Sequence, residues 1–365
     1  MTFEEQQDLW SLLDARDKTV QNMSTQLVEK EAVIQQLNTT LTETQATLTE
    51  TQAALTKTQT TLIKKITRKI KRLIAPRLGN LNQYGPIPLR DIPTQISSTA
   101  QANFPTISIV TPSFRQGHFI ERTLLSVLNQ KYPKLEYHVQ DGGSSDNTIA
   151  ILKRYEDKLS GWVSQKDSGQ SQAINLGFAN TSGEIMAWLN SDDLLLPGAL
   201  AVVTDYFHKH PEVDVVYGNR LLIDETDMEI GRWIMPGHDS DVLSWVDYVP
   251  QETMFWRRSI WDKVGGQIDE SFRFAMDWDL LVRFRDAGAK FAHIPRFLGA
   301  FRIHECQKTS AAINEIGHQE MDRIRERLLG RVPSRKEVRK AALPYLLKHV
   351  AVDLIYRIKT RLVGK

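Results

Sequence analysis

The chain has a single cysteine, Cys306, among its 365 residues. One thiol excludes an intrachain disulfide framework and any zinc site built from several thiolates, and it fits a reducing compartment. No run of about 18 apolar residues occurs, so no segment reads as a membrane span. The opening residues, MTFEEQQDLW, carry acids where a secretory leader needs bases, and no apolar stretch follows. The expectation is a cytoplasmic protein, touching at most the inner face of the cell membrane. Charge of one sign is scarce too: the formal net charge is +2, which gives no global field for a nucleic acid, and none is expected as a partner. Glycine and proline are missing altogether before Pro76, and that absence permits a long uninterrupted helix. What is present, 41% apolar and 25% charged residues, suits a globular protein with a sizeable core. The length leaves room for a catalytic domain with appendages.

The glycine-free stretch has its own order. Leu13, Val20, Leu27, Ile34, Leu41, Leu48, Leu55 and Leu62 recur at a spacing of seven, the signature of a helix whose apolar seam faces a partner helix. From Leu13 to Leu62 such a helix would be roughly 75 Å long. The second line of the seam (Met23, Lys30, Leu37, Thr44, Thr51, Thr58) is mostly polar, which leaves a single-helix spacer as the alternative to a homo-oligomeric coiled coil. The stretch ends in IKKITRKIKRLIAPR, with seven bases and no acids between Ile63 and Arg77. A basic amphipathic helix of this kind suits an anionic membrane surface, or is simply a solvated helix end. The segment after Gly330, with ten Lys or Arg and two acids, is a second candidate.

Pro86, Pro88 and Pro93 mark a linker. Beyond it strands and helices alternate: TISIVTP, HFIERTLLSVLNQ, LEYHVQD, DNTIAILKRYE, EIMAWLN, PGALAVVTDYFHKH, DVVYG. That alternation argues an α/β protein with a mostly parallel sheet covered by helices on both faces, in which ligands bind beyond the carboxyl ends of the strands. Three of those ends are polar: Thr111-Pro112-Ser113, Asp141-Gly142-Gly143-Ser144-Ser145-Asp146 and Asn190-Ser191-Asp192-Asp193. Asp192 and Asp193 are adjacent carboxylates with apolar residues on either side. They repel one another and resist desolvation, and a divalent cation with a taste for hard oxygen ligands, Mg²⁺ or Mn²⁺, relieves both costs. A solvent-exposed turn at a helix start is the plainer alternative.

The run from Ile107 to Leu195 resembles the nucleotide-binding half of family 2 glycosyltransferases, which have the Rossmann-like GT-A fold. The matching pieces are SIVTPSFRQGHFIERTLLSVLNQ, DGGSSDNT, KDSGQSQAINLG and TSGEIMAWLNSDD, followed by QETMFWRRSIWDKVGGQIDESFRFAMDWDLLVRF and FRIHECQKTS. With the heptad repeat, the prolines and the basic C-terminal segment, the resemblance divides the chain into a coiled-coil arm ending in the basic amphipathic segment over residues 1–75, a linker over 76–105, a GT-A domain over 106–310 and a basic helical tail over 311–365. It implies that Asp141, with Thr111 and Ser113, meets the nucleobase, and that Asp167 lies beside the nucleotide. Asp192 would contact ribose or metal, and Asp193 the metal that bridges the diphosphate. Asp277 would take the proton from the acceptor hydroxyl, with inversion at the anomeric carbon. Asp279, two residues on, is the rival base, although on a helix it would point elsewhere. Arg302 and Lys308 would close over the diphosphate, and His304 could join the metal. Gln251 and Glu252 resemble the acceptor-side wall. Trp188, Trp256, Trp261 and Trp278 are core residues first and sugar platforms second. Three positions depart from the family: Gln172 and Met276 stand where it has acids, and Cys306 where it commonly has serine.

The implied partners are a UDP-, GDP- or dTDP-linked sugar and a glycan or lipid-linked acceptor, in bacterial surface-polysaccharide assembly. Two other readings compete. A sugar-phosphate nucleotidyltransferase would want a Gly-rich basic loop after the first strand, where this chain has PSFRQGHF. A non-catalytic nucleotide-sugar-binding scaffold would have no need of Asp141, Asp192, Asp193 and Asp277 together.

Overall fold

The structure is a computed structural model that describes residues 2–74, 76–89, 104–305 and 316–363, without the side chains of 68–74 and 361–363. Cys306, Lys308 and residues 90–103 lie outside the described residues. The chain forms two compact units, Met1–Ile74 and Ala75–Lys365.

The first unit is one helix, α1 (Phe3–Ile74). Its seven-spaced apolar row is open to solvent, with Val20, Leu27, Ile34, Leu41, Leu48, Leu55 and Leu62 all between 56% and 61% exposed. The threonines that occupy the second line bond to their own helix: Thr44, Thr51 and Thr58 donate to the carbonyls of Thr40, Thr47 and Ala54 at 2.7, 2.7 and 2.9 Å. Those hydroxyls are satisfied locally and make no demand on a partner.

In the second unit the described residues build one sheet from β1 (Ile107–Ser113), β2 (Leu135–Asp141), β3 (Gly161–Ser164), β4 (Ile185–Trp188), β5 (Leu194–Leu195), β6 (Val215–Ile223), β7 (Glu229–Trp233), β8 (Phe255–Arg257) and β9 (Phe291–Arg302). The strand order is β3-β2-β1-β4-β8-β6-β9-β5, with β7 on the side of β6. The first four strands are parallel. They are joined through α2 (Ile120–Leu128), α3 (Thr148–Tyr155) and α4 (Gln170–Ala179). The second half is mixed: β8 runs antiparallel to β4 and β6, while β6 and β9 are parallel. The remaining helices are α5 (Ala199–Lys209), α6 (Ser240–Leu243), α7 (Arg258–Lys263), α8 (Met276–Asp286), α9 (His318–Leu329) and α10 (Arg335–Val363).

Strand alternation creates two cores. Val110, Met186, Trp188, Val215 and Tyr217 face one side, with Phe178 of α4, Trp261 of α7 and much of α8. Ile107, Ile109, Ile185, Ala187 and Val216 face the other, with Leu124 of α2 and Val203 of α5. Buried on both faces, these strands read as continuous apolar runs rather than alternating ones. The helix α4 lies so close to β1 that a Cβ at Gly177 would come within 2.3 Å of Val110 Cγ1. Chain order reverses between β1 and β4, since β2 and β3 were added on one side of β1 and β4 on the other. That is the switch point beyond which a ligand site is expected.

The helix α10 packs through Tyr345, His349 and Asp353, all buried. His349 Nε2 accepts from the amides of Arg77 and Leu78 at 3.2 and 3.1 Å, and its Nδ1 lies 2.8 Å from the Ile234 carbonyl. Burial lowers its pKa, in keeping with a neutral ring whose Nδ1 donates. Residues 76–89, expected as a linker, therefore run along this unit, and Ile87 bridges Glu229 of β7.

Candidate functional site

A cavity of about 740 Å³ opens beyond the ends of β1, β2 and β4, lined by Ser113, Gly142, Asp167, Asn190, Asp192 and Asp193 among others. Ser113 is 5% exposed, and its hydroxyl has no hydrogen-bond partner among the described residues. Asp167 lies against the Gly142 backbone, where a Cβ would meet its carboxylate at 3.0 Å. A side chain there would require Asp167 to shift by a few tenths of an ångström. Thr111 and Asp141 do not line the cavity. The Thr111 hydroxyl is buried 3.0 Å from that of Tyr137. The Asp141 carboxylate accepts from the amides of Gly143 and Ser144 (3.1 and 2.8 Å) and from the hydroxyls of Ser144 and Ser164 (2.5 and 2.6 Å). It holds its own turn in shape, with Gly143 at φ +82°.

The Asp192–Asp193 turn leads into β5, whose antiparallel pairing with the end of β9 (Leu194 with Ala300) brings Arg302 and His304 beneath it. Arg302 donates its amide to Asp193 Oδ1 at 3.0 Å and its Nε to the Asp192 carbonyl at 2.7 Å. Its guanidinium also donates to the Asp224 carbonyl at 2.9 Å and pairs with Asp227 at 2.5 Å. Arg302 is fully buried and braces the turn from below, lining neither this cavity nor the next. His304 Nε2 lies 3.0 Å from Asp192 Oδ2, and its ring packs 4.7 Å from that of Phe119. From the other side, the Thr123 hydroxyl of α2 bonds the carbonyls of Ser191 and Asp193 at 2.9 and 2.8 Å.

A second cleft, of about 240 Å³, continues from the first: Gln170, Asn190, Asp193 and Phe301 line both. Asp193, Asp247, Glu252 and Asp277 all border it, together with Arg220 and Arg273. Glu252 is buried in a bidentate pair with Arg220, whose Nε lies 2.7 Å from Oε1. The Arg220 guanidinium sits 4.8 Å from the Trp233 ring and 4.4 Å from the Phe301 ring. Asn190 donates to Gln251 Oε1 at 3.2 Å and accepts from Gln170 at 2.7 Å, tying the floor of one cavity to the other. Burial pushes the Asp193 carboxyl well above its ordinary value, and the charges of Asp192 and Glu252 add to the shift.

Asp277 occupies the first turn of α8, and its Oδ1 accepts the Trp278 amide at 2.9 Å. Burial raises its pKa to about 6, and the charge of Glu252 pushes the same way against the pull of Arg220. Asp247 has surface open to the cleft, and its carboxyl is raised by the surrounding protein and by Asp277. Asp279, the rival base, is fully buried and paired with Arg283 at 2.8 Å and Arg327 at 2.7 Å. It anchors α8 and does not border the cleft. Trp188, Trp256, Trp261 and Trp278 are all core residues, at most 3% exposed. Sequence reasoning missed Arg220 and Asp247. The available signal was a lone arginine inside the apolar strand VVYGNRLLI, a charge that burial alone would penalise, and an acid among the apolar residues of WVDYV.

The model of glycosyl transferase family 2 matches residues 108–269, which include the Asp192–Asp193 turn and stop short of Asp277. An uncharacterized glycosyltransferase of Mycobacterium tuberculosis is 30% identical over 184 residues, covering 49% of this chain and 68% of that protein. Among solved structures, residues 1–349 of S. aureus TarS in complex with UDP-GlcNAc superpose with a TM-score of 0.52 at 16% identity, covering 67% of this chain and 73% of that one. Against the longer TarS chain the coverage is 43%. A mannosyltransferase from Pyrobaculum calidifontis, in complex with GDP-Man and Mn²⁺, superposes with a TM-score of 0.50 at 17% identity, covering 80% of this chain and 76% of that one. The chain belongs to glycosyl transferase family 2, and its second unit has the GT-A fold of that family's enzymes.

Proposed function

We propose that this unit is an inverting transferase that moves a sugar from a nucleoside diphosphate to an acceptor hydroxyl, with Asp277 as general base. The observation that carries the reading is that Asp193 and Asp277 border one cleft that runs on into a nucleotide-sized pocket. The larger cavity takes the nucleotide, with the unpartnered Ser113 hydroxyl and Asp167 on its wall. The smaller takes the acceptor. The acceptor oxygen attacks the anomeric carbon as the bond from that carbon to the diphosphate oxygen breaks. The acceptor proton passes to Asp277, and one displacement inverts the configuration. A carboxyl with a pKa near 6 is ionised at neutral pH, yet basic enough to take a proton as the new bond forms.

The donor set fits a divalent cation. Asp192 and Asp193 offer hard oxygens, and Asp193 resists ionisation because it is buried and because the charges of Asp192 and Glu252 lie near it. Among the described residues no three His, Cys, Asp or Glu side chains gather closely enough to hold a metal by themselves, so diphosphate oxygens would complete the shell of Mn²⁺ or Mg²⁺. His304 would orient Asp192 from behind, as outer-shell partners do. When bound, the ion supplies positive charge to the departing diphosphate. The complexes of the two structural neighbours make UDP- and GDP-sugars the first donors to try, with dTDP-sugars next.

The acceptor is proposed to be a glycan or a lipid-linked glycan in surface-polysaccharide assembly. No described helix is long and apolar enough to cross a membrane. On α10, however, Leu343, Leu347, Ile355 and Ile358 are 50% to 61% exposed, beside the exposed Lys340, Lys348 and Lys359. That face suits an anionic bilayer. The seam of α1 is proposed to pair with a second copy. The deciding experiment is sugar release from UDP-GlcNAc, GDP-mannose and dTDP-glucose with Mn²⁺ and with EDTA, followed by transfer to glycan acceptors. Metal-dependent turnover of one donor supports the reading, and none with any donor would remove it.

A further inference from the structure

The base sits on the second residue of α8, and what holds that turn in place comes from elsewhere in the chain. The residue before the helix, Ala275, makes no side-chain cap. Three consecutive amides lead into it, those of Arg273, Phe274 and Ala275. All three donate to one carboxylate, that of Glu320 in the first turn of α9, at 2.8 Å to Oε1 and at 2.8 and 2.9 Å to Oε2. Glu320 is 8% exposed, so these charge-assisted bonds are shielded from water and stronger than neutral ones. Its neighbour on the same helix, Arg323, binds the start of the same loop, donating to Ser271 Oγ at 2.9 Å and lying 4.4 Å from the Phe272 ring. Arg273 and Phe274 border the cleft with Asp277.

We infer that Glu320 is a positioning residue for the transfer: by gathering the 273–275 amides it sets the first turn of α8, and with it the place of the Asp277 carboxylate and of the cleft wall. The inference rests on the reading of Asp277 as base. Nothing in the sequence marks Glu320, which lies in HQEMDRIRERLL among other charges of a solvated-looking helix. Reacting groups tolerate little displacement: a shift of about 1 Å can cost about 10²-fold in rate.

The test uses the full chain and whichever of UDP-GlcNAc or GDP-mannose the wild type turns over. Glu320→Ala is expected to lower kcat by about 10²-fold with the donor KM little changed, and to speed hydrogen exchange at the amides of 273–275. Glu320→Gln keeps the shape but turns an N–H₂ toward amides that need an acceptor, and is expected to lose less than the alanine variant. Val203→Ala, in α5 on the far face of the sheet, serves as the control for lost stability alone and should lower Tm with kcat retained. If Glu320→Ala keeps wild-type kcat, or loses no more than Val203→Ala, or leaves amide exchange at 273–275 unchanged, the inference is overturned. Asp277→Asn in the same assay separates the two claims. Full activity there removes the base itself, whereas an inactive Asp277→Asn beside an unaffected Glu320→Ala removes only the positioning role.

Discussion

The two cavities that meet at Asp193 follow different electrostatic plans. In and behind the wall of the larger one the acidic groups are already partnered: Asp141, behind the wall, accepts four hydrogen bonds from its own turn and from Ser164, Asp192 faces His304, and the turn itself is braced by Arg302 and Thr123. In the smaller one Asp193, Asp247 and Asp277 carry raised pKa values, and the buried Arg220 is already bidentate to Glu252. The first plan makes a rigid receptor whose charges are settled before a ligand arrives. The second keeps carboxylates under strain, so that a cation or an acceptor proton relieves them. Under the proposed function, nucleotide binding and proton transfer would be divided between these two halves.

Asp277→Asn would sharpen that contrast most. The transfer rate should fall by about 10²–10⁴-fold while nucleotide still raises Tm in a thermal shift with Mn²⁺; equal losses in both would break the division. Arg220→Met comes next, because it leaves Glu252 buried without its partner, at a cost of about 3–5 kcal/mol read by urea unfolding. Asp193→Asn, or chelation of the wild type by EDTA, should lower turnover by about 10²-fold, the scale of losing one group that meets developing charge; Mn²⁺ should restore the chelated wild type but not the variant.

The pH dependence follows from the raised carboxyl. Since the folded pKa of Asp277, about 6, lies above its ordinary 3.8, the protonated form is favoured by folding. Its contribution to stability is full below 3.8 and is lost as pH rises through about 6. Asp277→Asn should therefore be the more stable protein at pH 8, by roughly 1–3 kcal/mol, and nearly equal to wild type at pH 4, by urea unfolding. Wild-type turnover should rise across the same interval, since the base must be ionised. The smallest effect on chemistry is expected from removing the arm. A chain beginning at Pro76 keeps the His349 contacts of Arg77 and Leu78 and should retain turnover to within about twofold, as an independent compact unit would. Light scattering should then show a lower association state, and an unchanged one would remove the assembly role of α1.

Part of the larger cavity was readable in advance because its residues cluster at strand ends: Ser113, Gly142 and Asp192 lie at or just beyond the ends of apolar strands, and strand ends in a parallel sheet converge, whereas Asp167 was readable only through family resemblance. Asp277 was readable only through family resemblance, since an acid at a helix start is ordinary. Arg302 shows the limit of that approach. A cation near the diphosphate was expected, whereas the pairing of β5 with β9 turned its side chain under the turn to hold Asp224 and Asp227. Arg220, Asp247 and Glu320 left little trace, because each acts on a segment far away in the chain.

The seven-residue period of α1, the alternation of strands with helices, and the position of two aspartates straight after a buried strand are local matters, settled by side-chain size and polarity along the chain. Which carboxylates share one cleft, which arginine balances them, and which glutamate gathers the amides ahead of α8 were decided by the tertiary structure. The reason is electrostatic. An aspartate's readiness to take a proton depends on its burial and on charges within a few ångströms, and for Asp277 those charges arrive from Arg220 of β6 and from Glu252.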